Sequence, residues 1–255
     1  MYFNIVENYS KFKTFYDAKG YCHIKRFLSK SETKLLDQRV KKFINIKSKK
    51  LKGRNINFSK NNSINTLHDV DKFENSFKKF AKKSKNLKLA SFFLKSKAQF
   101  RKCEIFAKPA KSGMASPMHQ DNFLWAIKNN NGLTFWIALD HSNKKNGGLS
   151  YLAGSHKLGL LNHENSYMAG TSQKVKMKIL KSKCKKLKKI TPNLKPGDML
   201  VHHCLIIHGS SANKTTKSRR GFTIQYKDKN SKYDKTLLSN YEKNLKKQLK
   251  LRNQI

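Results

Sequence analysis

From about residue 101 the chain breaks into short β-prone runs separated by turn signals, and this pattern constrains its fold more than any other feature. The runs are Cys103–Ala107, Leu133–Leu139, Leu149–Leu152, Met199–Ile207 and Gly221–Tyr226. They have strand rather than helix lengths and are rich in side chains that suit a pleated surface. Turn chemistry punctuates them: Lys144–Gly148 reads KKNGG and Lys195–Asp198 reads KPGD. Many short strands between turns point to a sandwich or barrel of the jelly-roll kind.

The first hundred residues read differently. Ser29 to Phe43 carries Leu35, Leu36 and Val40 at helical spacing, with Ser31 as the expected N-cap. Asp71 to Leu94 is a second helical region, with Phe73, Phe77, Phe80, Leu87 and Leu89. Residues 44–65 are polar and basic and read as a loop, and the lysine-rich 171–190 reads as a mobile surface segment. Asp234 to Asn253 predicts a basic amphipathic helix packed on the domain. The expectation is one domain over 1–255: a helix-rich part over 1–100, a jelly-roll core over 101–228 and a C-terminal helix over 229–255. With 37% apolar residues the chain can fill one core, which argues against wholesale disorder.

The formal net charge is +41, which invites a polyanion partner. Yet the chain has 49 lysines and only seven arginines, and the lysines are spread along its length. Specific readers of nucleic acid favour the arginine fork, so compositional bias is the preferred account and no specific nucleic acid is expected. A positive field would still draw in small anionic substrates. Cys22, Cys103, Cys184 and Cys204 form no CxxC pair, and the N-terminal residues show no apolar signal core. No window approaches the roughly 18 apolar residues of a membrane span. A reduced cytoplasmic protein is expected.

Chemistry concentrates in three places. His119-Gln120-Asp121 puts an imidazole and a carboxylate at i and i+2, on one face of an extended segment. A second histidine would complete a 2-His-1-carboxylate triad, which leaves open positions on a metal. His208, after the apolar run Met199–Ile207 and before Gly209, Ser210 and Ser211, is the candidate. His202 and His203 are its rivals, and alternation lets only one of them share its face. Arg219, followed by Arg220, opens the next strand, where a guanidinium can bind a carboxylate bidentately.

These residues sit in KPAKSGMASPMHQDNFLW, LTFWIALDHSNKKNGGLSYLAGSHKLG and LKPGDMLVHHCLIIHGSSANKTTKSRRGFTIQY. In order and spacing the three blocks resemble the phytanoyl-CoA dioxygenase family, and FYDAKGYCHIKRFLSKSE resembles its N-terminal approach, so the likeness covers roughly residues 10–228. The resemblance implies a mainly β protein with flanking helices, a double-stranded β-helix (jelly roll, cupin-like). It implies an Fe(II)- and 2-oxoglutarate-dependent dioxygenase that also uses O2. His119, Asp121 and His208 would be its iron ligands, Arg219 with Ser210 would clasp the 2-oxoglutarate C5 carboxylate, and Gln120 and Trp136 would border the cosubstrate pocket. Asn146–Leu149 and Ala153–Lys157 match structural signatures and read as scaffold. Asp121 is present where related halogenating enzymes carry a small residue, so hydroxylation of a small, anionic substrate is the expected reaction. A non-catalytic or nucleic-acid-associated binding protein on the same fold is the competing reading; a retained triad and arginine weigh against it.

Overall fold

The computed structural model describes residues 5–59, 61–168 and 171–251. The chain begins with α1 (Ile5–Lys19), β1 (Tyr21–Ile24) and α2 (Lys30–Lys42). Ser29, rather than Ser31, caps α2. Its hydroxyl accepts from the Glu32 amide at 3.1 Å, and the Glu32 carboxylate accepts from the Ser29 amide at 2.9 Å. This reciprocal box requires a carboxylate three residues after the cap, and Ser31 has no such partner.

Residues 44–65 are not a plain loop. A π-helical turn at Phe43–Lys47 extends α2, then β2 (Ile56–Phe58) and the start of β3 (Ile64–Leu67) follow. The second helical region divides into α3 (Asn75–Ala81) and α4 (Ser84–Leu94), preceded by a 3₁₀ turn at Val70–Lys72. The β-rich part then runs through β4 (Ala98–Phe106), β5 (Ser116–His119), α5 (Asp121–Trp125), β6 (Gly132–Ala138) and β7 (Leu149–Leu152). It continues with β8 (His163–Met168), β9 (Thr171–Val175), α6 (Met177–Lys183), β10 (Lys189–Ile190), β11 (Met199–His203), β12 (His208–Ser210) and β13 (Gly221–Asp228). The 171–190 segment is therefore built from β9, α6 and β10. The terminal helix, α7, covers Lys235–Leu251; the expected end at Asn253 lies outside the described residues.

The strands form a double-stranded β-helix. A seven-stranded antiparallel sheet runs β1-β11-β6-β13-β4-β3-β2, and a four-stranded antiparallel sheet runs β10-β7-β12-β5. Three strands of the large sheet come from the helix-rich first hundred residues. Alternation along the central strands separates the two faces of that sheet. Leu133, Phe135 and Ile137 of β6, with Phe222 and Ile224 of β13, pack outward against Val40, Phe77, Leu89 and Phe93 of the helices. Each such side chain contributes about 1.5–3 kcal/mol by burial. The intervening Thr134, Trp136 and Thr223 face the small sheet and line the cavity between the sheets.

The apolar run expected as one strand, Met199–Ile207, is two structures. After His203 the chain leaves the large sheet, turns through Cys204–Ile207, and re-enters as β12 in the small one. Both halves are buried, so hydropathy alone cannot see the crossing. His208 therefore opens a strand instead of closing one.

Arg220 stitches the sheet to the helical layer. Its guanidinium donates to both oxygens of Asp140, at 2.9 and 2.6 Å, and approaches Asp37 of α2 at 2.7 Å. Arg220→Ala would leave two half-buried carboxylates facing each other. The expected cost, discounted for partial exposure, is about 2–3 kcal/mol. It would be read as a lower midpoint in urea unfolding, with Arg220→Lys recovering part of it.

Candidate metal centre and its cavity

His119 ends β5 and His208 opens β12, and the two residues are directly paired across the antiparallel ladder. Their ring centroids stand 4.3 Å apart. Gln120 is extended at φ −116° and ψ 129°, so Asp121, the first residue of α5, returns to the same side as His119. Its Oδ1 lies 3.7 Å from Nε2 of both histidines. One donor atom from each residue falls within a 4.8 Å cluster, and this is a group able to hold a metal ion.

Hydrogen bonds fix which atoms face inward. Nδ1 of His119 donates to the Pro117 carbonyl at 2.8 Å, and Nδ1 of His208 donates to the Ile206 carbonyl at 3.1 Å. In the neutral rings both Nε2 lone pairs are then left for a ligand. Burial, and for His119 the neighbouring His208, push both imidazoles down to about 4. Burial works to raise the Asp121 carboxyl. His208 and the His202 hydrogen bond outweigh it and hold the group well below the usual range.

Behind the triad, Thr134 donates to Asp121 Oδ2 at 3.0 Å, and His202 Nε2 lies 3.3 Å from the same oxygen. The other nitrogen of His202 meets the Tyr151 hydroxyl at 3.0 Å. Of the two rivals, His202 faces the same cavity as His208, from the opposite sheet, and it supports the carboxylate from behind. His203 packs outward beside Tyr16 and His156.

Gln120 does not border the cavity. Lying between two inward residues, it points the opposite way. There its carboxamide donates to Leu205 O and Gly159 O at 2.6 and 2.8 Å and accepts from Leu161 N at 2.8 Å. It ties down loops, and His163 helps by accepting from the Gln120 amide at 3.0 Å.

Elsewhere in the cavity, of about 570 Å³, sit Arg219, Ser210 and Trp136. Arg219 is 1% exposed. One of its terminal nitrogens donates to the Gly147 carbonyl at 2.7 Å, while Nε and Nη1 have no partner. The guanidinium lies 5.2 Å from the Trp136 ring centroid. Burial lowers it to about 10, so it is charged at neutral pH. Lys108, unexpected from the sequence, stands beside it: Nζ lies 2.6 Å from Ser210 Oγ and 2.5 Å from the Ser211 carbonyl. Burial, then Arg219, push its ammonium down to about 6. The NGGL turn is more than scaffold, because its Gly147 carbonyl also lies 3.4 Å from Lys108 Nζ.

A jelly roll that gathers two imidazole nitrogens and a carboxylate inside its barrel falls in the 2-His-1-carboxylate class of metal sites. Within it, the chain belongs to the phytanoyl-CoA dioxygenase (PhyH) family, whose model matches residues 16–221. Over 133 residues it is 28% identical to a peroxisomal phytanoyl-CoA dioxygenase of Bos taurus, covering 51% of this chain and 39% of that protein. The match thus spans about two-fifths of that relative's length. It is 26% identical over 220 residues to a probable alpha-ketoglutarate-dependent hypophosphite dioxygenase of Stutzerimonas stutzeri, covering 83% and 76%. Among solved structures, EctD from S. alaskensis with bound Fe superposes with a TM-score of 0.75 at 18% identity, covering 89% of this chain and 79% of EctD. The epimerase SnoN in complex with Fe3+, alpha ketoglutarate and nogalamycin RO gives 0.75 at 18% identity, covering 90% and 87%.

The floor under Arg219 depends on one missing side chain. A Cβ on Gly221 would stand 2.1 Å from the Trp136 ring. Gly221→Ala is expected to cost about 1–3 kcal/mol by overpacking, read in urea unfolding together with a change in tryptophan fluorescence.

Proposed function

We propose that the protein is an Fe(II)- and 2-oxoglutarate-dependent dioxygenase that hydroxylates a C–H bond of a small anionic substrate, with release of succinate and CO2. The observation that carries this reading is one cavity holding both the His119–Asp121–His208 donor cluster and a buried arginine with two unpartnered nitrogens. The donor set, two nitrogens and a carboxylate oxygen with open space beside them, fits iron. Held by these three residues, iron would supply dioxygen activation, with two electrons coming from oxidation of 2-oxoglutarate to succinate and CO2 and two from the C–H bond that is hydroxylated.

The chain's own residues do the rest. Thr134 and His202 fix the Asp121 carboxylate, and the backbone acceptors at Pro117 and Ile206 fix the histidine tautomers. Arg219 offers its free N–H groups to the distal carboxylate of the cosubstrate, with Ser210 and Lys108 alongside. Burial of Arg219 beside Trp136, at 1% exposure, keeps water away and strengthens those charge-assisted bonds.

Succinate release in the presence of Fe(II), ascorbate and 2-oxoglutarate, across a panel of organic acids, tests the reaction. Asp121→Ala is expected to weaken Fe(II) binding by more than about tenfold. Arg219→Ala should leave Fe(II) binding intact and raise the 2-oxoglutarate requirement by on the order of a hundredfold or more. Unchanged metal affinity in Asp121→Ala would refute the site.

Lys108 gives a second test. In the free protein its ammonium is lowered to about 6, so at pH 7 it is mostly neutral. A carboxylate placed beside it favours the charged form and raises its pKa. Binding 2-oxoglutarate at pH 7 should therefore take up protons. The calorimetric heat should vary with the ionisation enthalpy of the buffer, and Lys108→Met should remove that dependence.

A further inference from the structure

We infer that Arg101 is the anchor for the anionic group of the primary substrate, a specificity-determining residue separate from the Arg219 pole. The inference rests on the dioxygenase reading and names what the rest of the cavity recognises.

The strand register isolates this residue. Along β4 and β13, Gln225 pairs with Lys102 and Tyr226 pairs with Phe100. Arg101 is thus the extra residue of a β-bulge, a device that re-aims a side chain. Consecutive residues of a regular strand point to opposite faces, yet Arg101 and Lys102 both line the cavity.

The two cations differ in their surroundings. Lys102 is neutralised: its Nζ lies 2.7 Å from Glu104 Oε1 and 3.8 Å from Asp69 Oδ1. Arg101 has no carboxylate within ion-pair distance among the described residues. It donates to the Gln225 carboxamide oxygen at 2.6 Å, and its buried Nε has no partner. Gln225 is held in turn, donating to Glu104 Oε2 at 2.9 Å. The guanidinium stacks over Trp125 at 4.5 Å from the ring centroid. Trp125 is four residues beyond Asp121 on α5, one helical turn from the metal cluster.

Arg219 has the same construction: a guanidinium stacked on an indole, held by one neutral acceptor, with donors left over. The chain has two tryptophans, and each carries an arginine in this cavity. A planar fork with free donors and no acid partner matches a carboxylate. Leu238 and Leu245 of α7 line the same cavity and give an apolar segment of the substrate somewhere to lie.

The test uses protein loaded anaerobically with Fe(II) and 2-oxoglutarate, so that the Arg219 pole is filled. Straight-chain carboxylates from butanoate to octanoate are titrated beside the alcohols of equal length, with tryptophan fluorescence and calorimetry as readouts. At least one carboxylate should bind about tenfold or more tighter than its alcohol. R101Q should abolish that preference with 2-oxoglutarate binding unchanged within about twofold, and R101K should keep part of it because charge persists without the fork. Urea midpoints of both variants check the fold. The inference is overturned if no carboxylate is preferred over its alcohol, or if R101Q keeps the preference. Failure of the wild-type protein to bind 2-oxoglutarate would instead sink the dioxygenase reading, and this inference with it.

Discussion

The pairing of β5 with β12 is the constraint on which the rest of the site depends. It sets His119 opposite His208, and side chains on directly opposed residues stand about 4.5–5.5 Å apart at Cβ. Two buried imidazoles that close cannot both be charged, and each is neutral at physiological pH. Their Nδ1 protons are committed to backbone carbonyls, so what they offer the cavity is two lone pairs. Asp121 adds a carboxylate oxygen equidistant from both. Three electron-rich atoms facing one point, with no proton between them, form an arrangement that a cation completes. The ladder pays for this convergence through backbone bonds elsewhere: β12 is also zipped to β7, and β5 cannot shift by one residue without turning both His119 and Asp121 out of the cavity.

The Arg219 pole has the opposite polarity. Arg219, Lys108 and Ser210 line one end of the cavity with no carboxylate at hand, and two arginine nitrogens are unpaired. Burying an unpaired guanidinium is costly, and the conformation persists because its surroundings leave it little choice. Gly221 admits the Trp136 ring, Trp136 supports the guanidinium, and the Gly147 carbonyl at φ +76° fixes one end of it. Lys108 responds as a buried lysine beside a fixed cation must, by giving up its proton near neutrality. The donors are therefore in place before any anion arrives, which reduces the cost of binding one.

Much of this was legible in the sequence, because the informative residues obey short-range rules. The i, i+2 spacing of His119 and Asp121 survives in the fold since Gln120 is extended. The same alternation explains why Gln120 itself faces away, whereas His202 reaches His208 from the opposite sheet, through its pairing with the inward-facing Thr134. What escaped were features that composition or hydropathy conceals. Lys108 is one lysine among 49, and what distinguishes it is burial beside Arg219, which no sequence pattern announces. The break between β11 and β12 lies inside a largely apolar run, and β2, within residues 44–65, is only three residues long. The bulge at Arg101 depends on register, which no single strand carries.

The excess of positive charge looks different once the acids are located. With 15 Asp and Glu for 56 Lys and Arg, most basic side chains must lack an acidic partner. On the surface water compensates them, so their lack of partners says nothing about function. Inside, compensation has to come from the protein or from a ligand, and the few interior acids are placed selectively. Asp140 and Asp37 hold Arg220 on the outer side of the sheet, and Glu104 and Asp69 hold Lys102. Arg219 and Arg101, next in sequence to these neutralised cations, receive no acid. Each of the two adjacent pairs thus divides into a structural cation and an open one, and alternation for Arg219–Arg220 and a bulge for Arg101–Lys102 produce the division. In an acid-poor chain a random surface cation without a partner is ordinary, whereas two cavity guanidiniums stacked on indoles keep donors unpaired where burial makes that costly, and this is the asymmetry that the proposed anion roles would relieve.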